Sequence, residues 1–496
     1  MKMKKLFATA LAAVFLVTGC TKEIIIDNTQ DPVPTETGVS YVKFNLTTEG
    51  IGTKGANDHY GKTPTADELK IYNYAVFIFN SNGILEASLS RSIYSPPSAS
   101  DIPAKDDYNM DDLLDFDPNE AYNPLYMDNQ QVVTLSAGTK YFFAVLNAPQ
   151  SLLDEQESYL ANNGLTQAVA QDQTITFDDL TEIVGSYYFE GDPSTPEFDN
   201  DPETTGNRGF LMTSGSLERK TLAEMEEGDT PEVITLEVGR GMAKVSLASD
   251  LSDQVDTSQP NGVLDVWSYK VINNPKAMYV MPNSQGGVLI TPNYFYRQTL
   301  TEQYVTDNYF HSTAGYLTAS VDGDRTFTYC IENSNLTPRK GNSTAVTIHG
   351  KYYPDILYNE DETVTETDGN NPNSDGTFWR VKNVTTGEYN PKYYYEEPDL
   401  SAVSDLEPGD TYEAIKYEEG ECYYIIYLKN TNRPAEEYSV YRNSYYQIDI
   451  ESVEGAGEPN EGDLIPDPDD PIDPETYLKV NIKIAEWEVI DQPGKL

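Results

Sequence analysis

The chain is organised around residues 477–490, which read YLKVNIKIAEWEVI. Apolar and polar residues alternate through its first half, which is the period of a β-strand with one buried face. The apolar members of that half are Leu478, Val480, Ile482 and Ile484. After Ala485 the apolar side continues from odd positions at Trp487 and Val489, and one β-bulge would produce this change of phase. The sequence therefore predicts a long terminal strand that completes a sheet, either in its own chain or in another.

A second segment, near the amino terminus, has the same alternation. Residues 42–46 read VKFNL and residues 478–482 read LKVNI, so both run apolar, lysine, apolar, asparagine, apolar. A strand pairs through its backbone and fills pockets with alternate side chains, so two such segments can occupy one groove. The alternative is that any two half-buried strands look alike. On the first interpretation Val42, Phe44 and Leu46 belong to a displaced strand, and a donor strand from Leu478 to Val489 replaces it.

Residues 1–20 have the organisation of a lipoprotein signal peptide. Basic residues precede an apolar run from Leu6 to Val17, and the sequence VTGC ends at Cys20. Small residues before the cysteine allow the signal peptidase to approach, and the thiol then receives the lipid. A transmembrane helix is the alternative, but the apolar run is too short for one. The sequence predicts a mature protein that is lipidated at Cys20 and lies outside the cytoplasm.

Residues 21–54 are predicted to form a propeptide that consists of a polar tether and the first strand. The loop EGIGTKGAN, residues 49–57, places three glycines around Lys54, and such a loop has the composition of a protease target. A trypsin-like enzyme that cut between Lys54 and Gly55 would remove the lipidated tether together with the first strand. The alternative is that Lys54 is an ordinary surface lysine.

Composition limits the classes of function. The 496 residues carry a formal net charge of −48, which argues against a nucleic-acid partner. The 37 tyrosines, together with abundant Thr, Val and Ile, favour strands. The length suggests two domains. After processing only Cys330 and Cys422 remain, and the sequence leaves open whether they form a disulfide or are two buried thiols.

The remaining strand patterns are separated by acidic loops and divide the chain. The stretch VITLEVGRGMAKVSL, residues 233–247, reads as a long strand kinked by glycine, and it places the boundary between predicted domains at 55–239 and 240–460. The best helical pattern is Leu152 to Ala170. Residues 461–476, EGDLIPDPDDPIDPET, are predicted to be a proline-stiffened acidic linker that does not pack and holds the donor segment, 477–496, away from the body.

Together these features resemble the Bacteroidales fimbrillins, and within them the Mfa-type major subunits. The lipobox and the basic residue in the glycine-rich loop contribute to the resemblance. The other motifs are VGRGMAKVSL (238–247), YCIEN (329–333), YRNSYYQIDI (441–450), GAG (455–457) and WEVI (487–490). The resemblance implies an all-β chain with minor α content, built from two transthyretin-like β-sandwich domains and a C-terminal donor strand. It also implies loss of the first strand by proteolysis and polymerisation by strand exchange into a type V pilus. Members of the family are usually cleaved after arginine, so the lysine at position 54 leaves the identity of the protease open.

The function expected from the resemblance is that of a structural subunit of a cell-surface fimbria that supports adhesion and biofilm formation. The expected partners are other copies of the chain, accessory fimbrial subunits, a trypsin-like maturation protease, and host or bacterial surface ligands. Before processing, the lipid at Cys20, with its palmitate, would anchor the precursor in the outer membrane. Two alternatives stay open. One is a surface-anchored lipoprotein that binds glycans or proteins, and the other is an anchor or tip subunit of the same fimbria.

Motifs for catalysis are missing from the sequence. His59, His311 and His349 are far apart and have no metal-ligand spacing, and neither a P-loop nor a G-x-S-x-G motif occurs. The sequence therefore predicts that the chain is not an enzyme and has no metal site and no cofactor.

Overall fold

The computed structural model describes the chain over these residues: 38–48, 73–92, 132–147, 184–186, 211–247, 262–275, 277–285, 288–291, 309–310, 317–318, 326–359, 363–366, 375–431, 433–472 and 478–486. Within these ranges the chain is β-strand joined by turns. The helical segments there are short 3-10 turns at Glu418–Gly420, Pro434–Glu436 and Glu461–Leu464. No helix in the described ranges is long and apolar enough to cross a membrane.

Strands are numbered in chain order. The first ten are β1 (Val39–Thr48), β2 (Asn73–Phe79), β3 (Leu85–Ser92), β4 (Val133–Ser136), β5 (Gly138–Leu146), β6 (Val184–Ser186), β7 (Met212–Ser214), β8 (Glu218–Leu222), β9 (Glu232–Arg240) and β10 (Met242–Leu247). The next eight are β11 (Val263–Ile272), β12 (Asn274–Pro275), β13 (Ala277–Tyr279), β14 (Asn283–Gln285), β15 (Val288–Ile290), β16 (Tyr309–Phe310), β17 (Leu317–Thr318) and β18 (Thr326–Ile331). The last nine are β19 (Ala345–Tyr353), β20 (Ile356–Tyr358), β21 (Val364–Glu366), β22 (Phe378–Asn383), β23 (Tyr389–Tyr394), β24 (Tyr412–Tyr417), β25 (Glu421–Tyr427), β26 (Ser444–Val453) and β27 (Leu478–Glu486).

The amino-terminal half forms one eight-stranded sheet. Its strand order is β3-β2-β5-β7-β9-β1-β4, with β8 paired to β5. Along β9 the side chains of Ile234, Leu236 and Val238 are buried, whereas Val233 and Thr235 are exposed. This alternation is the pleat of a strand with one buried face. The buried faces of these strands form the first hydrophobic core, to which β13 and β18 also contribute side chains.

The second half of the chain is a β-sandwich. One sheet has the order β18-β10-β26-β27 and the other has the order β17-β11-β19-β25. Side chains from both sheets share the second hydrophobic core, for example Val245 and Ile448 of the first sheet and Ile348 and Ile426 of the second. Two sheets that bury their facing sides against each other define a sandwich. The predicted all-β, β-sandwich fold class is thereby confirmed.

A further five-stranded sheet is inserted between β19 and β25, which pair with each other. Its order is β21-β20-β23-β22-β24. One face of this sheet packs on the second core, where the rings of Phe378 and Tyr417 stack with centroids 4.6 Å apart and Phe378 meets Tyr352 edge-on at 6.3 Å. The tyrosine-rich part of the sequence therefore builds a structural layer on the sandwich.

Strands β9 and β10 follow one another across Gly241 and connect the two halves. Strand β9 pairs in parallel with β1, and β10 pairs in parallel with β26. The predicted domain boundary between residues 239 and 240 falls at the end of β9 and stays a prediction. The predicted helix Leu152 to Ala170 lies outside the described residues.

The two cysteines that remain after the predicted processing are buried free thiols. Cys330 lies in β18 and Cys422 in β25. Burial raises the pKa of both thiols to about 12, so both are protonated at neutral pH. Of the two alternatives left open by the sequence, the structure has the buried thiols.

Candidate strand-exchange site

Strand β1 is an internal strand of the amino-terminal sheet. Residues Val39–Val42 pair antiparallel with β4, and residues Val42–Thr48 pair parallel with β9. Both edges of β1 are therefore hydrogen-bonded to the rest of the domain. Removing β1 would leave backbone N–H and C=O groups of β4 and β9 without hydrogen-bond partners. Unpaired strand edges of this kind can pair with a strand from another chain.

The apolar side of β1 fills a groove in the first core. Val42, Phe44 and Leu46, the residues predicted to belong to a displaced strand, are all buried. The ring of Phe44 packs edge-on against Phe142 with centroids 5.6 Å apart. Burial of side chains of this size stabilises by about 1.5–3 kcal/mol each, so an empty groove would be costly.

The start of β1 is also held by Met225, in the connection between β8 and β9. The backbone N–H of Met225 donates to the carbonyl of Val39 at 2.8 Å. The Met225 sulfur accepts from the Ser40 hydroxyl and from the Tyr41 N–H, each at 3.4 Å. We call this set of contacts the Met225 clasp. Sequence reasoning could not find these contacts, because a methionine in an acidic loop has no recognisable strand pattern.

The wall formed by β4 has its own attachment. Among the described strands β4 pairs with β1 alone. Ser136 donates from its N–H at 3.1 Å and from its hydroxyl at 2.8 Å to the carboxylate of Glu86. The buried ammonium of Lys140 donates to the Ser136 hydroxyl at 2.6 Å and forms an ion pair with Glu86 at 2.5 Å. These contacts tie β4 to β3 and β5 independently of β1.

The predicted donor strand is β27, and it lies on the edge of the carboxy-terminal sheet of its own chain. It pairs antiparallel with β26, from Ser444 opposite Glu486 to Val453 opposite Leu478. Leu478 is buried and Ile482 is partly buried against the second core. Val480 and Ile484 belong to the same ladder, opposite Ile450 and Tyr446.

Residues 454–472, which we call the strap, lead from β26 towards β27 and pack on the body of the protein. The N–H groups of Lys340 and Gly341 donate to the carbonyls of Asp470 and Pro468, each at 2.9 Å. A Cβ atom at Gly341 would lie 2.4 Å from Pro468, so only glycine fits there. Two isoleucines of the strap, Ile465 and Ile472, pack on a small core of Ile272, Ala345 and Tyr427. The prediction that the linker 461–476 does not pack is wrong for residues 461–472, because isoleucine side chains and backbone carbonyls dock this acidic segment on the body.

Five of the predicted site residues lie outside the described residues: Cys20, Lys54, Gly55, Trp487 and Val489. Lipidation, cleavage and the last part of the donor therefore stay predictions. The structure places the two matching segments in different sheets, β1 between two partners and β27 beside one. Within the described residues no group of three or more His, Cys, Asp and Glu side chains could hold a metal ion.

Comparison with known proteins gives one family match. Residues 415–493 match the family described as major fimbrial subunit protein type IV, fimbrillin, C-terminal. No curated relative matches the sequence. Among solved structures, a fimbrilin from Porphyromonas gingivalis is similar at 13% identity with a TM-score of 0.42, covering 92% of this chain and 100% of that one. A candidate cell adhesion protein from Parabacteroides distasonis is similar at 14% identity with a TM-score of 0.44, over 90% of this chain and 99% of that one. The tip fimbrial protein Mfa3 from Porphyromonas gingivalis, with a C-terminal truncation, is similar at 13% identity with a TM-score of 0.37, over 90% of this chain and 100% of that one.

Proposed function

We propose that this chain is a fimbrillin, on the match of its residues 415–493 to the fimbrillin C-terminal family, and that it is a structural subunit of a cell-surface fimbria that takes part in adhesion. The matched residues, 415–493, include β25, β26, the strap and β27. On its sequence motifs we assign it to the Mfa-type branch. Its partners are other copies of the chain and accessory fimbrial subunits, and its role requires no catalysis.

We propose that assembly proceeds by strand exchange. The precursor is anchored in the outer membrane through lipid at Cys20 and is cut between Lys54 and Gly55. The fragment that leaves contains β1, so the groove between β4 and β9 opens. The segment from Leu478 to Val489 of a neighbouring copy then enters this groove.

The observation that supports the exchange is the number of partner strands at the positions of β27 and β1. Strand β27 has one described partner, β26, whereas β1 has two, β4 and β9. A donor strand that leaves β26 and enters the groove between β4 and β9 therefore gains backbone hydrogen bonds on both of its edges in place of one. While β1 is present, the groove is filled and β27 stays on its own sheet. Cleavage would therefore be the trigger that makes donation favourable.

The apolar row of the donor contributes the other part of the free energy. Six side chains at about 1.5–3 kcal/mol each give on the order of 10 kcal/mol gross. Association costs roughly 4–15 kcal/mol, so the apolar row and the backbone ladder must act together. Each copy donates one strand and receives one, and a head-to-tail contact of this kind does not close on itself. An open repeat generates a filament.

Deletion of residues 477–496 tests the proposed function. The deleted chain should still be secreted and processed, because β1, β4 and β9 are untouched, but it should remain monomeric. Electron microscopy of cells and size-exclusion chromatography of the purified chain would show this. A matched control deletes only residues 491–496, beyond the donor row, and should still form fibres. Fibres of normal length from the longer deletion would contradict strand exchange and favour the surface-anchored binding module.

A further inference from the structure

We propose that the donor enters the groove in a single register, parallel to β9 and with Leu478 in the place of Val42, and that the Met225 clasp selects this register. The inference rests on the proposed strand exchange and adds to it the position of each donor residue. It names Met225 as a positioning residue for assembly, a role for which the sequence alone gave no indication.

The match between the two segments becomes longer once the start of β1 is known. Strand β1 begins at Val39, so the comparison covers residues 39–46, VSYVKFNL, and residues 475–482, ETYLKVNI. In this alignment Ser40 corresponds to Thr476 and Tyr41 to Tyr477. The position that differs in type is the first, where Val39 corresponds to Glu475. Val39 is 41% exposed, so a glutamate in its place would stay in contact with water.

The clasp discriminates between registers at the position of Ser40. This side chain is fully buried and its hydroxyl donates to the Met225 sulfur. In the proposed register Thr476 supplies a hydroxyl at the same place. A shift by one residue would bury either the charge of Glu475 or the large ring of Tyr477 there. A buried charge without a partner is strongly unfavourable.

Shifts by two residues keep the apolar face inward but lose the clasp. They would place either Pro474 or Leu478 at the position of Ser40, and neither side chain can donate a hydrogen bond. Thr476 is therefore the one residue in this window that is small and carries a donor. The donor face is the one that β27 already buries, because Leu478 and Ile482 pack on the second core in its own sheet.

Cysteine pairs on the outward face measure the register directly. Lys43 lies opposite Val233, and Asn45 lies opposite Thr235, in the parallel pairing of β1 with β9. Val233 and Thr235 are exposed, so cysteines there leave the groove unchanged. The proposed register predicts disulfides between Lys479→Cys and Val233→Cys and between Asn481→Cys and Thr235→Cys. Two control pairs report the shifted registers: Lys479→Cys with Thr235→Cys, and Asn481→Cys with Val233→Cys.

Each disulfide can form only between copies that have exchanged strands. In a chain that has not exchanged strands, β27 pairs with β26 of the same chain, where Lys479 lies opposite Ser452 and Asn481 lies opposite Asp449. Fibres assembled under reducing conditions are therefore oxidised and separated by non-reducing electrophoresis. We expect a ladder of covalent multimers for the first two pairs, 479 with 233 and 481 with 235. We expect no covalent multimers for either control pair. A ladder from a control pair would overturn the register and leave strand exchange intact. Fibres without a ladder from any of the four pairs would overturn the register, and the deletion of residues 477–496 would then decide whether strands are exchanged at all.

A second set of variants tests the clasp without cysteines. Thr476→Ser keeps the hydroxyl and should assemble at the wild-type rate, whereas Thr476→Leu should assemble more slowly because its side chain has no donor and does not fit beside Met225. The deletion of residues 477–496 provides the rate of a chain that cannot exchange. Equal assembly rates for the serine and leucine variants would overturn the role of the clasp. Loss of assembly in the serine variant would do so as well.

Discussion

Arg442 and the buried Glu332 form a bidentate ion pair in the carboxy-terminal half of the chain, where this half contacts the amino-terminal sheet. Arg442 Nε lies 2.7 Å from one carboxylate oxygen of Glu332, and Nη2 bonds the other. The same guanidinium donates to the carbonyls of Val280 at 2.9 Å and Tyr279 at 2.6 Å, and to the hydroxyl of Thr213 at 3.3 Å. Thr213 belongs to the sheet that holds the groove, whereas Arg442 lies two residues before β26. The Arg442 guanidinium, held by Glu332, therefore links the donor's home sheet to the sheet that receives a donor through its hydrogen bond to Thr213.

Loss of one partner of this pair should destabilise the precursor strongly. Arg442→Met leaves the buried carboxylate of Glu332 without its counter-charge, which costs about 3–5 kcal/mol. The double variant Arg442→Met with Glu332→Leu should recover part of that loss, because an apolar pair leaves no unpaired charge. Denaturant unfolding of the purified precursor measures both free energies. Equal stability of the single variant and the wild type would show that the ion pair does not hold the junction.

The pocket of Phe44 predicts a gain-of-stability variant. In the proposed register Val480 takes the place of Phe44, and the smaller side chain leaves space beside Phe142. Val480→Phe should restore the edge-on aromatic contact and stabilise the fibre by about 0.5–1.5 kcal/mol per subunit. The measurement is the denaturant concentration at which fibres dissociate. The matched control is Phe142→Leu, which removes the aromatic partner. If Val480→Phe stabilises fibres of the Phe142→Leu variant by the same amount, residue 480 does not occupy the position of Phe44.

Processing at Lys54 predicts a specific mature terminus. The main subunit of purified fibres should begin at Gly55, because Lys54 is the basic residue of the glycine-rich loop after β1. Lys54→Gln should leave unprocessed monomers in which β1 still fills the groove, whereas Lys54→Arg should be cut and assemble normally. Mass spectrometry of the amino terminus distinguishes these forms. A lipidated Cys20 in the main fibre subunit would argue for the anchored binding module.

Lipidation at Cys20 should affect location and leave stability unchanged. Cys20 precedes both predicted domains in the sequence, so the melting temperature of the purified Cys20→Ala variant should match that of the wild-type precursor. Its export to the surface should be lost, since the thiol that carries the lipid is absent. Surface labelling of intact cells, compared with total protein, measures this. Surface display equal to that of the wild type would show that the lipid is not required.

Local alternation predicted several elements of this fold correctly. Strands β1, β9 and β27 each show the period of two, and burial on one face is enough to produce that pattern in the sequence. The glycine between β9 and β10 was predicted as the point where the long strand is kinked. The residues on the buried face of β1, Val42, Phe44 and Leu46, were predicted for the same reason.

Long-range partners could not be predicted in the same way. Met225 holds Ser40 across 185 residues, and Arg442 reaches Glu332 across 110 residues, so no local pattern reports either contact. The strap was predicted to be unpacked because prolines and carboxylates dominate its composition, yet two isoleucines and two backbone carbonyls suffice to dock it. The tyrosines of β22 to β24 lie among acidic loops, and their sheet becomes visible only from its packing on Tyr352.

A density map of the assembled fibre tests strand exchange most directly, at a resolution that identifies side chains in the groove between β4 and β9. The proposed mechanism predicts Leu478, Val480 and Ile482 of a neighbouring copy in that groove, beside Ile234 and Leu236 of β9. Strand β26 of the donating copy should then have lost β27. Density for residues 39–48 of the same chain in the groove, with β27 still on β26, would contradict the mechanism.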